Sequence, residues 1–364
     1  MMQWIVIPLM MAMSALPAFA ERIYEQAEPP KALTEEQADE AAANYQKYCA
    51  LCHGADRQGH VNDHAPSLRS PSLMATGVPM GLALPISYGR LGTPMAGYLD
   101  EVGGPMTLEQ IKHLTYWLFQ QSGLDHPLKL SREPVAGDAQ QGKSVYAQHC
   151  ATCHGSGGEG VTAPALSNAS ALAHNTDEFI RYAIEFGREG TPMPSFGTQL
   201  SAADIDNVTA FIRSWAAELA PEKTVLQALP TPDEYVLNPQ GEDPDFELMD
   251  GQYVSSESLF EALQANKRMI LLDTRAVSAW QRAHIAGSIP FPYYSELEDK
   301  TQDLPKDVMI VAYCACPRAA ADYVVKQLGE LGYTRTAVLY EGIFGWMNQG
   351  YPYLIAGGET TTKQ

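Results

Sequence analysis

The sequence of 364 residues has few basic side chains, because 24 Lys and Arg stand against 43 Asp and Glu, a net charge of −19. Such a chain lacks the basic face that nucleic acid phosphates require, which argues against nucleic acid binding. Long apolar runs are also scarce, and the one that exceeds fifteen residues lies at the start. This excludes a multispanning membrane protein. Only 18% of residues are charged and 45% are hydrophobic, which indicates folded domains rather than a disordered acidic chain.

The first twenty residues contain no Lys or Arg. Their apolar stretch, interrupted by Pro8, is followed by the small-x-small string Ala18-Phe19-Ala20, which is typical of a signal peptidase site. We therefore predict a signal peptide over residues 1–20 and export to the periplasm. An uncleaved membrane anchor is the alternative, and after cleavage no integral membrane segment is expected.

Six cysteines occur as three close pairs. In an exported chain, six cysteines would first suggest disulfide bonds. Two of the pairs, however, fit the pattern C-x-x-C-H, which is the attachment pattern of c-type haem. Two thiols at this spacing can reach both haem vinyl groups, and the histidine that follows can bind the iron. The residues of the two motifs are Cys49, Cys52 and His53, then Cys150, Cys153 and His154.

The surroundings of the two motifs form an internal repeat. The string Gly-Thr-Pro-Met ends at Met95 in the first copy and at Met193 in the second, which gives a period near one hundred residues. That period indicates duplicated domains rather than a solenoid. Each copy continues into an amphipathic segment, 107–120 and 201–215, with Thr107 and Ser201 as predicted N-caps.

Residues 35–124 and 137–220, joined by a linker at 125–136, each resemble a class I cytochrome c domain. The resemblance implies a small all-α fold around one covalently bound haem c, so two haems for the chain. It also implies the axial ligands, which are the proximal histidines of the two motifs and the distal methionines of the repeated string. An iron with both axial positions filled transfers electrons, and methionine ligation raises its reduction potential.

Three other methionines, Met74, Met80 and Met106, also lie downstream of the first motif and compete for the distal position. We select Met95 because its string is repeated and each copy leaves similar room before the last helix. The copies differ at one packing position, where Gly142 fits the family's close contact between first and last helices and Ala41 replaces it in the first copy. A slightly wider helix crossing is expected there.

Beyond a proline-rich linker at 221–249, the pattern changes over residues 250–357. Apolar runs at 269–273, 308–313 and 337–340 alternate with helical patterns at 257–265 and 319–331. Strands that are apolar throughout and alternate with helices are typical of a parallel sheet in an α/β domain. The fold expected for the chain is therefore two all-α domains followed by an α/β domain.

Residues 250–357 resemble the rhodanese homology domain through four strings in the family's order. They are Leu272-Asp273-Thr274-Arg275, His284 to Pro290, Tyr313-Cys314, and Glu341 to Trp346. The resemblance implies that Cys314 carries sulfur as a persulfide, and the start of the next helix would stabilise its anion. Arg318 adds a nearby cation, and we interpret Asp273 and Arg275 as loop anchors.

The loop after Cys314 departs from the family pattern, because it is one residue shorter and contains Pro317 and a second thiol, Cys316. This puts ordinary sulfur transfer from thiosulfate to cyanide in doubt. Cys316 could resolve a sulfur adduct by thiol–disulfide exchange, with Cys314 and Arg318 as the other catalytic candidates. The alternative is a strained local disulfide, or small buried groups in an inactive domain.

Two hypotheses follow. In the first, a periplasmic dihaem cytochrome oxidises or transfers a small sulfur compound at Cys314 and passes the electrons to a redox partner. In the second, the chain is a plain dihaem electron carrier whose rhodanese-like domain only docks or senses. A sulfurtransferase with purely structural haems is a third hypothesis, which leaves two redox sites unused. The partners implied are an electron donor and a terminal acceptor.

Overall fold

The computed structural model describes residues 24–59, 65–77, 79–217, 226–315, 318–356 and 360–361. The predicted signal peptide, Cys316 and Pro317 lie outside the described residues. Within the described residues, no helix is both long and apolar enough to span a membrane.

The first part of the chain is helical. Thr34 begins it with a capping box, in which its side chain accepts from the Gln37 N–H group and the Gln37 side chain accepts in return. Thr107 makes the same box with Gln110, which confirms the predicted N-cap. The helices described here are α1 (Glu35–Tyr48), α2 (Ala50–His53), α3 (Pro71–Gly77), α4 (Met80–Tyr88) and α5 (Leu108–Gln120).

A second helical region repeats this order. Ser201 caps its last helix, as predicted, and the apolar face of that helix is buried. A Cβ atom at Gly142 would lie 2.0 Å from the carbonyl oxygen of Asn207, so the backbones of the first and last helices touch at this glycine. The helices are α6 (Ala139–His149), α7 (Ala151–His154), α8 (Ala169–His174), α9 (Asp177–Phe186) and α10 (Ala202–Arg213).

The third region is an α/β fold, and its three main strands lie within one residue of the predicted apolar runs. Its strands are β1 (Tyr253–Val254), β2 (Met269–Asp273), β3 (Ala283–His284), β4 (Ile289–Pro290), β5 (Met309–Tyr313), β6 (Thr336–Leu339), β7 (Tyr353–Ile355) and β8 (Thr360–Thr361). Its helices are α11 (Ser256–Gln264), α12 (Val277–Arg282), α13 (Leu297–Lys300), α14 (Ala319–Glu330) and α15 (Gly342–Asn348).

The strands of the main sheet run parallel in the order β1-β6-β5-β2-β4 within the described residues. Alternate side chains of β2, β5 and β6 face opposite layers. One layer packs against α14, and the other packs against α11 and α15. The antiparallel strands β3, β7 and β8 form a separate small sheet. Helices on both faces explain why these strands read as continuous apolar runs.

The described part of the predicted extended linker, residues 226–249, contains a 3₁₀ turn at Pro232–Glu234 and packs against the α/β region. Leu237 pairs with Met269 at the start of β2, with N–H to carbonyl distances of 2.8 and 3.3 Å. The Asp243 carboxylate bridges Arg268 and Arg335, at 3.0 and 2.6 Å. Backbone hydrogen bonds and ion pairs therefore hold this stretch against the α/β region.

Candidate functional sites

Each C-x-x-C-H motif occupies a single helical turn that follows a longer helix. In the first copy, α1 ends at Tyr48, and the N–H group of His53 donates to the carbonyl of Cys49 at 2.9 Å. Gly54 then takes a positive φ of 81° and ends the turn. The second copy does the same, with Gly155 at φ 84°. The tight turn keeps both thiols and the following imidazole on one short element.

The two motif histidines are buried and oriented in the same way. The His53 Nδ1 atom lies 2.9 Å from the carbonyl oxygen of Pro66, and His154 Nδ1 lies 2.8 Å from that of Pro164. A carbonyl oxygen only accepts, so Nδ1 carries the proton and Nε2 carries the lone pair that a metal needs. Burial lowers the pKa of His154, and the hydrogen bond to Pro164 opposes this only in part. The imidazole is therefore held neutral.

Two tyrosines brace these turns. The Tyr45 hydroxyl donates to the carbonyl of Gly54 and the Tyr146 hydroxyl donates to that of Gly155, both at 2.7 Å. Both tyrosines are buried. Their recurrence at the same distance before each motif was visible in the sequence, but the contact they make was not.

The two Gly-Thr-Pro-Met strings fold into the same loop. In the first, the Thr93 hydroxyl donates to the Arg90 carbonyl at 2.8 Å and accepts from the Met95 N–H group at 3.2 Å. Thr191 makes the same two contacts in the second loop, at 2.7 and 3.1 Å. The threonine therefore holds each methionine in place, which explains why it belongs to the repeated string.

The competing methionines have different surroundings. Met74 and Met106 are 0% and 1% exposed within the apolar core of the first region, whereas Met80 is 54% exposed. Met95 lies at the edge of that core, and Met193 lies at the edge of the second core. Core burial is the ordinary role of a methionine. The choice of Met95 and Met193 as ligands stays a prediction.

The residues of each copy fit a covalently bound haem. Each copy offers one buried imidazole whose Nδ1 faces a backbone carbonyl, one thioether on a loop held by threonine, and two cysteines on the turn before the histidine. Histidine and methionine are the axial pair of electron-transferring c-type haems.

Two arginines beside the methionine loops were missed by the sequence reasoning. Burial lowers the pKa of Arg188 to about 10 and also lowers the pKa of Arg90. The Arg188 guanidinium lies over the ring of Phe179 at 5.0 Å and donates to the Ser72 hydroxyl at 3.2 Å. The Gly-Arg pair that precedes both strings at the same spacing was the available signal.

The two helical regions meet at their methionine loops through reciprocal contacts. The Asn168 side chain, at the start of α8, donates to the Leu91 carbonyl at 2.7 Å. The Ser72 hydroxyl, at the start of α3, donates to the Gly187 carbonyl at 2.9 Å. Each loop therefore contacts the third helix of the other copy.

In the α/β region, Cys314 follows β5 and is 4% exposed. Its carbonyl accepts from the Ile343 N–H group at 2.9 Å. A Cβ atom at Gly342 would lie 2.7 Å from the same oxygen, and this glycine has a positive φ of 60°. Cys314 thus sits at the carboxyl edge of the parallel sheet, between the beginnings of α14 and α15.

Two arginines, Arg318 and Arg275, are candidates for the cation near Cys314. The Arg318 guanidinium lies over the rings of Tyr253 and Tyr340, at 4.7 and 4.3 Å, and donates to the Tyr340 carbonyl at 3.2 Å. Arg275 is buried, and a Cys314 thiolate would add to the raised pKa of its guanidinium after the larger effect of Asp273. Sequence reasoning chose Arg318 as the nearby cation and did not predict that aromatic rings hold its charged end.

Arg275 is held by a buried ion pair. Its Nε and Nη2 atoms donate to the two carboxylate oxygens of Asp273, at 2.8 and 2.5 Å. It also donates to the carbonyl of Ala283 at 2.6 Å. Burial alone would lower the pKa of Arg275, but the Asp273 charge outweighs it and the pKa is raised. This geometry agrees with the interpretation of both residues as loop anchors.

Known protein families match two parts of the chain. Residues 137–212 match the family described as cytochrome c oxidase, cbb3-type, subunit III. Residues 256–349 match the rhodanese-like domain family.

Individual proteins agree with these matches. The Cbb3-type cytochrome c oxidase subunit CcoP of Cereibacter sphaeroides is 28% identical over 180 residues, which cover 47% of this chain and 58% of that protein. The chain therefore spans less than two thirds of the length of that relative. Cytochrome c6 of a Synechococcus species is 35% identical over 95 residues, or 24% of this chain and 83% of that protein.

A solution structure of a rhodanese-like domain from an Anabaena species is 24% identical, with a TM-score of 0.27, and covers 29% of this chain and 79% of that chain. The similarity to cytochrome c6 covers most of that small protein, and the rhodanese-like match covers most of the α/β region. The chain therefore belongs to the cytochrome c family and carries a rhodanese-like domain at its C-terminal side.

Proposed function

We propose that this chain is a periplasmic dihaem cytochrome that accepts electrons from a sulfur species oxidised at Cys314 and passes them to a redox partner. Two haems are proposed because the turn, the histidine orientation and the methionine loop recur in both copies. Export is proposed because residues 1–20 have the apolar stretch and the small-x-small string that are typical of a signal peptide.

The residues that would hold the two haems are those of the repeated motifs. The haem supplies an iron that takes up and releases one electron at a time. The cysteines would hold the porphyrin by thioether bonds. His53 and Met95 would ligate the first iron, and His154 and Met193 would ligate the second. Arg90 and Arg188 place buried positive charge beside these loops, which suits the haem carboxylates.

The observation that carries the sulfur coupling is the position of α14. This helix begins just after the Cys314 loop and its N-terminal end favours a thiolate or persulfide anion there. The same helix contacts α2, which carries the first C-x-x-C-H motif. The sulfur site and the first haem-binding turn therefore share one helix as a common neighbour.

The chemistry balances for sulfide, the simplest donor. The half-reaction is Cys314–S⁻ + HS⁻ → Cys314–S–S⁻ + H⁺ + 2 e⁻, in which one S–S bond forms, one S–H bond breaks and the proton goes to water. Two one-electron haems would accept both electrons. Transfer of the outer sulfur to an acceptor thiolate restores the Cys314 thiolate.

The energetics favour this direction. Thiol–disulfide couples lie at about −0.2 to −0.3 V, and methionine ligation places haem potentials above them. A gap of roughly 0.3 V for two electrons corresponds to roughly 14 kcal/mol.

The burial of Cys314 favours the second candidate function. A side chain that is 4% exposed has little access to substrate, and the adjoining loop departs from the family pattern. In this candidate the rhodanese-like domain is a docking or sensing module, and the chain is a plain dihaem carrier.

One experiment separates the two candidates. The oxidised holoprotein is mixed with sulfide, thiosulfate or a persulfide donor, and haem reduction is followed by absorbance. Cys314→Ser should abolish reduction by the effective donor while leaving reduction by ascorbate unchanged. If no donor reduces the haems, or if the variant behaves like the wild type, the coupled function is wrong and the plain carrier remains.

A further inference from the structure

A cluster of four tyrosines lies between the first helical region and the α/β region. Tyr48 and Tyr98 come from the first helical region, and Tyr293 and Tyr294 follow β4. The ring of Tyr48 stands edge-on to that of Tyr294, with centroids 4.9 Å apart, and Tyr293 stands edge-on to Tyr294 at 5.2 Å. Such pairs stabilise a contact beyond the area they bury. The cluster is therefore a specific interface between the two regions.

Two hydroxyl groups of the cluster converge on one backbone oxygen. The carbonyl of Tyr48 accepts from the Tyr293 hydroxyl at 2.5 Å and from the Tyr98 hydroxyl at 3.0 Å. Tyr48 immediately precedes Cys49, the first haem-attachment cysteine. Tyr293 thus reaches from the rhodanese-like domain to the peptide group that joins Tyr48 to Cys49.

The other end of Tyr293 leads back to the sulfur site. Its N–H group donates to the carbonyl of Thr274 at 3.0 Å. The N–H and hydroxyl groups of Thr274 donate in turn to the carbonyl of Tyr313, at 2.9 and 3.0 Å. That carbonyl belongs to the peptide group that joins Tyr313 to Cys314. Covalent bonds and hydrogen bonds therefore connect Cys314 to Cys49 without a break.

The second copy provides an internal comparison. At the positions equivalent to Tyr48 and Tyr98 it has His149 and Phe196. His149 is exposed and stands edge-on to Phe196 at 5.9 Å. Phe196 has no hydroxyl group to donate. The copies thus share the contacts that orient the haem ligands and differ at the residues that meet the rhodanese-like domain.

We propose that the Tyr293 hydroxyl completes an electron path from Cys314 to Cys49, so that electrons from the sulfur site enter the chain at the first copy. Electron tunnelling is faster through covalent and hydrogen bonds than across a van der Waals gap. This inference rests on the proposed function. The first electron leaves the Cys314 thiolate. The second leaves the S–S-bonded radical anion that this sulfur then forms with HS⁻, as the S–H proton goes to water, so both electrons use this path one after the other. The tyrosines are not themselves oxidised, and the second copy is the outlet toward the partner.

The test compares three tyrosine-to-phenylalanine variants of the holoprotein. Tyr293→Phe removes the proposed link and keeps the ring. Tyr98→Phe removes a hydroxyl that donates to the same Tyr48 oxygen and lies 3.4 Å from the Tyr293 hydroxyl, but no bond of the proposed path runs through it. Tyr333→Phe removes a buried hydroxyl of the same domain that donates to two carbonyls, of Thr301 and Leu304, both at 2.9 Å.

Sulfide-driven haem reduction should be slower in Tyr293→Phe than in the wild type. The other two variants should match the wild type. Ascorbate should reduce the haems equally fast in all four proteins. Hydrogen exchange supplies a readout that does not depend on turnover, because Tyr293→Phe should release protection at residues 49–53 and leave residues 150–154 unchanged.

The outcomes distinguish a failure of the electron path from a failure of the proposed sulfur function. If sulfide reduces the wild type but Tyr293→Phe is as fast as Tyr333→Phe, the path is wrong and the sulfur function stands. An equal loss in Tyr98→Phe would also refute the path, because the effect would then reflect packing around Tyr48. If no sulfur donor reduces the wild type, the proposed function itself fails.

Discussion

Gly142 allows the sharpest prediction about the second helical region. An alanine Cβ atom there would lie 2.0 Å from the Asn207 oxygen and 2.9 Å from the Val208 nitrogen. Ordinary van der Waals contact begins at 3.4 Å, so the first of these contacts must lengthen by about 1.4 Å. Both atoms belong to the backbone of α10 and cannot rotate away. Gly142→Ala must therefore push α6 and α10 apart.

The magnitude follows from two opposing effects. Alanine is favoured over glycine in a helix by about 1 kcal/mol. Overpacking in a close-packed core costs about 1–3 kcal/mol, and a clash with fixed backbone belongs at the upper end. The crossing also carries buried Tyr146, Val208 and Ile212. We expect a net loss of about 2 kcal/mol in the free energy of unfolding of this region.

Gly329→Ala is the matched control. Gly329 lies in α14, and a Cβ atom there would meet no heavy atom of the described residues within 4 Å. The same substitution should therefore stabilise the α/β region, by up to about 1 kcal/mol. The two variants are expected to change stability in opposite directions although the chemical change is identical.

The assay is denaturant unfolding of the holoprotein, because the regions need not unfold together. Haem absorbance and the methionine–iron charge-transfer band report on the helical regions, and tryptophan fluorescence adds the α/β region. Gly142→Ala should lower the midpoint of one haem transition and leave the other unchanged. If Gly142→Ala is as stable as the wild type, or gains stability as Gly329→Ala should, then the close crossing at Gly142 does not limit packing.

Two further predictions concern the axial ligand and the buried ion pair. Met95→Ala should remove about half of the methionine–iron band. Met106→Ala should keep the band and lower the free energy of unfolding by about 2–5 kcal/mol, because it leaves a cavity in the core. The reverse pattern would make Met106 the ligand. Asp273→Asn should cost about 3–5 kcal/mol in denaturant unfolding, because the Arg275 guanidinium then stays buried without its charge partner, and a loss below about 1 kcal/mol would refute a structural role for the pair.

The sequence was most informative where a covalent or packing constraint repeats. The C-x-x-C-H motifs form the same short helical turn in both copies, and haem attachment at their cysteines stays a prediction. The caps Thr107 and Ser201 could be predicted because each precedes a periodic apolar face. The strands β2, β5 and β6 could be predicted because helices cover both faces of the sheet and leave the runs apolar throughout.

Short elements and local charge environments could not be predicted. The strands β1 and β4 have two residues each, too few for any periodicity. The guanidinium of Arg318 lies on Tyr253 and Tyr340, which are distant in sequence and come together only when β1 pairs with β6. The position of Arg318 near Cys314 in the sequence therefore did not predict where its guanidinium lies.

Contacts between the regions were also invisible in the sequence, because each uses side chains whose partners lie in a separately folded unit. The sequence does not show that Tyr48 and Tyr98 contact Tyr293, which connects them to the Cys314 loop. The repeat did contain a signal. Tyr48 and Tyr98 are replaced by His149 and Phe196 in the second copy, while the neighbouring motif residues are the same. A change at such positions indicates that the two copies have different surroundings there. Here that difference is the contact with the rhodanese-like domain.

This divergence also bears on the direction of electron flow. Two identical haem-binding units would offer a sulfur site and a redox partner the same surface, and neither order of transfer would be favoured. The attachment turn of the first copy is covered by Tyr293 and α14, whereas Cys153 in the second copy is exposed. A partner protein can therefore approach the second attachment turn without displacing the rhodanese-like domain. In the proposed path, the covered turn of the first copy receives electrons from the sulfur site and the exposed turn of the second copy passes them to the partner.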